Sequence, residues 1–136
     1  MYKIVEFSHL LIKNYFDKFK RENMIFVDAT CGRGSDTIFM ADILSNYGHV
    51  YSYDIQQIAL DYTLNELEKL NIKNVTLKLK SHEFIDETNL DLIIYNLGYL
   101  PNGDKSITTN HESTMASLKK VLSRFWLNPN MLIILV

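Results

Sequence analysis

Apolar residues recur along the chain in two alternating patterns, short continuous runs and longer stretches with helical spacing. The runs predict strands, and the stretches between them predict helices that each bury one face. The predicted strands are 24–27, 49–53, 75–79, 90–95 and 131–136, and the predicted helices are 9–22, 35–47, 58–70 and 111–125. This order predicts an α/β fold with a Rossmann-like, doubly wound, mainly parallel sheet, in which ligands bind at the carboxyl ends of the strands.

Composition narrows the class of protein further. The 136 residues are 47% apolar and 22% charged, as expected for one globular domain with a substantial core. The net charge of -2 gives no overall attraction to nucleic acid or to an acidic membrane, so an RNA partner needs a local basic patch. A single cysteine, Cys31, and the absence of a long apolar segment lead us to expect a cytoplasmic protein with no membrane span.

A glycine-containing loop joins the first strand to the next helix. Gly32 and Gly34 allow the backbone to approach a ligand closely, and Ser35 is the expected cap of the helix. Asp54 lies 20 residues beyond Gly34, at the end of the second strand. A carboxylate at that spacing can accept hydrogen bonds from both hydroxyls of a ribose, so the loop and Asp54 together predict a nucleoside site.

Two cofactor classes contain such a nucleoside, the nicotinamide dinucleotides and S-adenosylmethionine. The third glycine of a dinucleotide motif would fall at Thr37, and Asp28 and Asp36 place carboxylates where a pyrophosphate would be repelled. The same carboxylates suit the ammonium and sulfonium charges of S-adenosylmethionine. The alternative is that Asp28 and Asp54 are strand-end residues bound by backbone amides, with the glycines forming only a tight turn. We assign no metal ligands.

Two further positions near this loop allow different interpretations. Ser81 and His82 follow the third strand, where contacts to an adenine edge would arise, but a polar pair at a strand end is also typical of a helix cap. Cys31 is a residue type that can add covalently to a pyrimidine. Its position in the cofactor turn, rather than in the loop that faces the acceptor, argues against that role.

The loop after the fourth strand has the composition of an acceptor site. Asn96 can hold the hydrogens of an attacking amine, and Tyr99 can pack against a flat base. Lys105 is suited to contact a phosphate. Asp104 is suited to act as a general base or to form an ion pair with Lys105. The alternative is an ordinary polar turn with Tyr99 at its rim.

Four segments, in order, carry a more specific resemblance that covers nearly the whole chain. They are Asp28-Ala-Thr-x-Gly-x-Gly-x-Asp36-Thr37, Tyr53-Asp54-Ile55-Gln56, Lys80-Ser81-His82 and Asn96-Leu-Gly-Tyr-Leu-Pro101-x-Gly103-Asp104-Lys105-Ser-x-Thr108-Thr109. The chain resembles the class I methyltransferases labelled putative rRNA methylases, whose members are understood as tRNA 5-(aminomethyl)-2-thiouridine methyltransferases. Cys31 and Arg33 depart from the pattern at positions where a tight turn needs no particular side chain.

The resemblance implies methyl transfer from S-adenosylmethionine to the exocyclic aminomethyl nitrogen of 2-thiouridine at the wobble position of tRNA. It implies one set of residues that hold the cofactor, namely Gly32, Gly34, Asp36, Asp54, Gln56, Ser81 and His82, which we combine with Asp28 from the loop pattern. It also implies a set on the acceptor side, namely Asn96, Tyr99, Asp104 and Lys105.

The family continues beyond a fifth strand, whereas this sequence ends at Val136. We therefore expect residues 1–136 to form a single S-adenosylmethionine-binding methyltransferase domain that is incomplete at its C-terminus and lacks its last strands. An incomplete sheet predicts a homodimer, an aggregate or a marginally stable monomer. The alternative functions are a nicotinamide-dependent oxidoreductase and a non-catalytic adenosyl-binding remnant.

Overall fold

The five apolar runs form one parallel sheet in a computed structural model that describes residues 2–98 and 111–136. The strands are β1 Met24–Asp28, β2 Gly48–Asp54, β3 Val75–Leu79, β4 Leu92–Tyr95 and β5 Leu132–Leu135. They lie in the order β3-β2-β1-β4-β5, and every pairing is parallel. The predicted Rossmann-like α/β class is therefore confirmed.

The helices that connect these strands agree with the predicted ones apart from their ends. They are α1 Tyr2–Phe19, α2 Ser35–Leu44, α3 Gln57–Lys69 and α4 His111–Ser123. Short 3-10 helices occur at Ser45–Tyr47, His82–Phe84 and Phe125–Leu127. Helix α1 begins seven residues before the predicted start at His9, because Ile4 and Phe7 are exposed apolar residues that obscure the helical pattern there. None of the described helices is long and apolar enough to cross a membrane.

Two apolar clusters cover the two faces of the sheet. On one face, α1 and α2 pack over alternate strand residues such as Phe26, Val50 and Ile94. On the other face, α4 packs over the intervening residues, including Val27 and Ile93. Because β1 and β4 bury side chains on both faces, their sequences are continuous apolar runs, whereas the edge strand β3 alternates apolar and polar residues.

An ion pair between a buried carboxylate and a partly exposed arginine links the start of β4 to the segment that follows α1. Asp91 accepts two hydrogen bonds of 2.9 Å from the guanidinium of Arg21, and it also accepts bonds from the Ile25 amide and the Asn128 side chain. These contacts lie at the amino ends of the strands. The loops that carry the candidate site lie at the opposite, carboxyl end of the sheet.

Candidate active site

The candidate site lies at the carboxyl ends of β1, β2 and β4. Strand β1 is where the order of the strands reverses, because β2 lies on one side of it and β4 on the other. Asp28 ends β1, Asp54 ends β2, and Asn96 directly follows β4. In a doubly wound sheet the loops separate at such a point and leave a crevice for a ligand.

The glycine loop between β1 and α2 is held on both sides by neighbouring strands. The amide of Ala29 donates to the carbonyl of Ile94 in β4, and the amide of Cys31 donates to the carbonyl of Tyr53 in β2. Gly34 has φ of +85°, and a Cβ there would lie 2.6 Å from Thr63 Cγ2. Glycine is thus required on both conformational and steric grounds.

Gly34 is also the N-cap of α2, so the predicted cap at Ser35 is wrong by one residue. Ser35 is the first residue of the helix, and no side chain caps this end. Gly32 has φ of +53°, but a Cβ at this position would contact only the Thr30 carbonyl oxygen, at 4.0 Å. The loop is therefore closely packed behind Gly34 and open at Gly32, as a ligand that approaches the backbone requires.

The Asp54 carboxylate joins this loop to the start of α3. One oxygen accepts a hydrogen bond of 2.8 Å from the Gly32 amide, and the other accepts one of 2.9 Å from the Gln56 amide. Gln56 is the N-cap residue of α3. Each carboxylate oxygen can accept more than one hydrogen bond, so these amides orient the group without exhausting its capacity for ribose hydroxyls.

Asp28 supports the loop from within the core. Its side chain is completely buried, and it accepts hydrogen bonds from the Thr30 amide at 3.1 Å and the Thr37 hydroxyl at 2.7 Å. Burial, reinforced by the charge of Asp36, raises the pKa of Asp28 to about 7. A direct contact with the cofactor, as the sequence predicts, does not fit this burial, so Asp28 is better described as a residue that shapes the loop.

Asp36 lies in the first turn of α2 and contacts two other elements. One oxygen lies 2.8 Å from Nε2 of His9 in α1, and the other lies 3.5 Å from Nδ2 of Asn96. The backbone amide of Asn96 donates in turn to the Thr30 hydroxyl at 2.8 Å. Asn96 is thus fixed beside the glycine loop, as expected for a residue on the acceptor side. Sequence reasoning missed His9, because a histidine within an amphipathic helix carries no signal of a partner 27 residues away.

Ser81 and His82 follow the alternative that the sequence left open, a helix cap. The Ser81 hydroxyl accepts a hydrogen bond from the Glu83 amide and caps the 3-10 helix that follows. His82 is buried, and its Nδ1 donates to the Ala29 carbonyl at 2.8 Å. Its Nε2 lies 3.4 Å from the Thr114 hydroxyl. Because both ring nitrogens have partners, the imidazole supports the glycine loop from below rather than facing an adenine.

Cys31 has the environment of a structural thiol. It is buried, and burial raises the pKa of its thiol to about 12, with the Thr63 hydroxyl 3.4 Å from the sulfur. A thiol that stays protonated is a poor nucleophile, in agreement with the sequence argument. Three predicted acceptor-side residues, Tyr99, Asp104 and Lys105, lie outside the described residues.

Acidic groups dominate the electrostatics of this edge. Asp28, Asp36 and Asp54 all lie around one loop, and the loop's own cation, Arg33, is exposed and lies over the ring of Tyr62 at 5.4 Å. The carboxylates favour a cationic ligand and oppose a diphosphate. Thr37 occupies the position of the third glycine in a dinucleotide motif. Its side chain is buried and its hydroxyl contacts Asp28 and Ser52, so the helix does not pack against the strand as closely as it does in dinucleotide-binding proteins.

Comparisons with known proteins place these features in a family. A family profile described as putative rRNA methylase matches residues 50–136. Over 131 residues the chain is 34% identical to the tRNA (mnm(5)s(2)U34)-methyltransferase, chloroplastic, of Arabidopsis thaliana, an alignment that covers 86% of this chain and 46% of that protein. The chain thus spans about half the length of this curated relative.

Two solved structures are similar in both fold and sequence. A putative rRNA methylase from Clostridium thermocellum superposes with a TM-score of 0.70 at 39% identity, covering 82% of this chain and 62% of that one. A putative methyltransferase from Streptococcus mutans, solved in complex with SAH, gives a TM-score of 0.70 at 37% identity and covers 88% and 65% of the two chains.

Proposed function

The chain belongs to the putative rRNA methylase family, and on this premise we propose that it binds S-adenosylmethionine and transfers its methyl group to RNA. The observation that carries the proposal is the Asp54 carboxylate bound to the Gly32 amide, which joins the ends of β1 and β2 at one site. The solved relative from Streptococcus mutans, with SAH in its structure, supports the same cofactor class.

The donor set at the carboxyl edge fits this cofactor. Asp54, with the Gln56 amide behind it, is positioned to accept hydrogen bonds from ribose hydroxyls. Asp36 is a nearly buried carboxylate at the start of α2, suited to the ammonium or sulfonium charge. Gly32 and Gly34 provide the close backbone approach. His82 acts indirectly by bracing the loop, and Ser81 caps the 3-10 helix that contains His82. When bound, the cofactor would supply an electrophilic methyl group.

For the acceptor, we propose the exocyclic aminomethyl nitrogen of 2-thiouridine at the tRNA wobble position. The motif from Asn96 to Thr109 and the similarity to the tRNA (mnm(5)s(2)U34)-methyltransferase of Arabidopsis thaliana support this choice. Asn96 is held beside Asp36 and can orient an amine through its amide group. We keep Tyr99, Asp104 and Lys105 as proposed acceptor-side residues, the cytoplasm as the predicted compartment and a homodimer as the predicted assembly.

Calorimetric titration of the 136-residue chain with S-adenosylmethionine and, separately, with NAD tests the cofactor. We expect binding of S-adenosylmethionine only, and loss of that binding in Asp54→Ala. Asp17→Ala removes an exposed carboxylate that pairs with Lys13 on α1, and it serves as the matched control. Binding of NAD instead would establish the oxidoreductase alternative, and binding of neither ligand by folded protein would refute the proposed site.

Transfer of a labelled methyl group to tRNA tests the acceptor. We expect labelling of tRNA that contains 5-aminomethyl-2-thiouridine, and none of the same tRNA with unmodified uridine at that position. Labelling of ribosomal RNA alone would show that the chain is a methyltransferase whose substrate is ribosomal RNA rather than tRNA. Binding of S-adenosylmethionine with no transfer to either RNA would identify the chain as a non-catalytic adenosyl-binding domain.

A further inference from the structure

Helix α1 contributes a histidine to the edge of the sheet where the methyl acceptor is proposed to bind. Nε2 of His9 lies 2.8 Å from Oδ1 of Asp36, and Oδ2 of the same carboxylate faces the Asn96 amide at 3.5 Å. A single carboxylate therefore separates the imidazole from Asn96. None of the four sequence segments that define the site includes His9.

The His9 ring is held in position by two contacts from α2. Asp36 binds its Nε2, and the ring of Phe39 packs against it edge-on with 4.0 Å between the centroids. The His9 side chain is 22% exposed, whereas that of Asp36 is only 7% exposed. Within residues 2–98 and 111–136, no hydrogen-bond partner of Nδ1 is found. A carboxylate on one nitrogen fixes the tautomer, so that the other nitrogen carries a free lone pair.

The proposed reaction needs a group of this kind. A primary amine is protonated near neutral pH, and its nitrogen has no lone pair for attack until the proton is removed. The carboxylate of Asp36 stabilises the imidazolium that results when a neutral histidine accepts a proton. Other charged groups near the ring are Asp28 in β1, behind Asp36, and Glu6 and Lys13, each about one turn away on α1.

We propose that His9 is the proton acceptor for the substrate amine, with Asp36 as its positioning partner; this inference rests on the proposed function. The acceptor ammonium gives a proton to Nδ1 of His9 and becomes a neutral amine. The amine nitrogen forms a bond to the methyl carbon while the carbon–sulfur bond breaks, and that electron pair remains on sulfur. The product is a secondary ammonium, and His9 returns its proton to solvent.

The test compares methyl transfer by the unmodified chain and by His9→Gln across a range of pH. Glutamine can still donate a hydrogen bond to Asp36 through its amide, but it cannot accept a proton at this pH. We expect kcat at pH 7 to fall on the order of 100-fold, with the affinity for S-adenosylmethionine changed less than about twofold. The deficit should shrink as the pH approaches that at which the amine deprotonates in water.

His49→Gln is the control, because His49 bonds to Thr76 between β2 and β3 and lies outside the proposed machinery. It should retain the rate and pH profile of the unmodified chain. A His9→Gln variant with full activity, or with a deficit that is equal at every pH, would overturn the role as proton acceptor while leaving the methyltransferase intact. Failure of the unmodified chain to transfer a methyl group would instead refute the proposed function, and this inference with it.

Discussion

The buried carboxyl of Asp28 makes the stability of this fold depend on pH in an unusual direction. Burial and the nearby charge of Asp36 raise its pKa from 3.8 to about 7 in the folded chain. A raised carboxyl pKa means that the folded state holds its proton more tightly than the unfolded state. The contribution to stability is therefore fully present below pH 4 and is lost as the pH rises toward 7.

The size of this effect follows from the shift in pKa. A difference of about three units corresponds to about 4 kcal/mol in the free energy of unfolding once the pH is above both pKa values. Between pH 5 and pH 8 the loss should be about 2 to 3 kcal/mol, since part of it has already occurred at pH 5. Asp28→Asn has no titrating group at this position, and its oxygen can still accept the hydrogen bond from the Thr30 amide.

Urea unfolding at pH 5, 6, 7 and 8 measures the difference between the unmodified chain and Asp28→Asn. We expect the variant to gain about 2 to 3 kcal/mol relative to the unmodified chain from pH 5 to pH 8. Groups such as His82, whose pKa is lowered by burial, titrate in both proteins and cancel in the comparison. Asp42→Asn, on the exposed side of α2, controls for the loss of a surface carboxyl. A difference that is constant with pH would refute the reasoning.

Three further substitutions or reactions test other parts of the structure. Gly34→Ala should destabilise the fold by about 2 kcal/mol or more in urea unfolding, because the new Cβ would clash with Thr63. Gly98→Ala is the control, since Gly98 also has a positive φ but no atom lies within 4 Å of the new Cβ. It should cost only about 1 kcal/mol. Cys31 should react with a disulfide reagent at pH 8 only as fast as the chain unfolds, because its pKa is about 12; rapid labelling of folded protein would contradict this. Asp91→Ala should cost about 2 kcal/mol by thermal or urea unfolding, because it leaves the Ile25 amide and the Asn128 side chain without their acceptor, and a cost below 1 kcal/mol would be inconsistent.

The sheet could be predicted from sequence because its signal is local. The run Val75–Leu79 is a strand over the predicted residues, and Met24 begins β1 as predicted. The turn at Gly34 was also predictable, since two glycines directly follow an apolar strand run, although the contact with Thr63 in α3 was not. By contrast, the start of α1 could not be predicted, because exposed apolar residues such as Phe7 do not follow the burial pattern on which helix prediction depends.

The site was only partly predictable, for a different reason. Residue type and spacing indicated carboxylates near the glycine loop, but not which of them would be exposed. Asp28 is buried and Asp54 is half-buried, although both end parallel strands. The partners of His9 and His82 lie in elements distant in sequence, and such pairings are set by how helices pack on the sheet. No local pattern encodes them.

The same arrangement explains why acidic groups are tolerated at this edge. Placing Asp28 within this acidic loop costs free energy, since burial, and after it the charge of Asp36, disfavours ionisation of Asp28 and raises its pKa. Within the described residues, the Thr37 and Ser52 hydroxyls, the backbone amides and the His9 ring offset part of that cost. A cationic ligand would offset more of it, because its charge favours the ionised form of every carboxylate it approaches. The unfavourable electrostatics of this edge are thus the counterpart of its proposed affinity for S-adenosylmethionine, and binding of that cation would stabilise the fold.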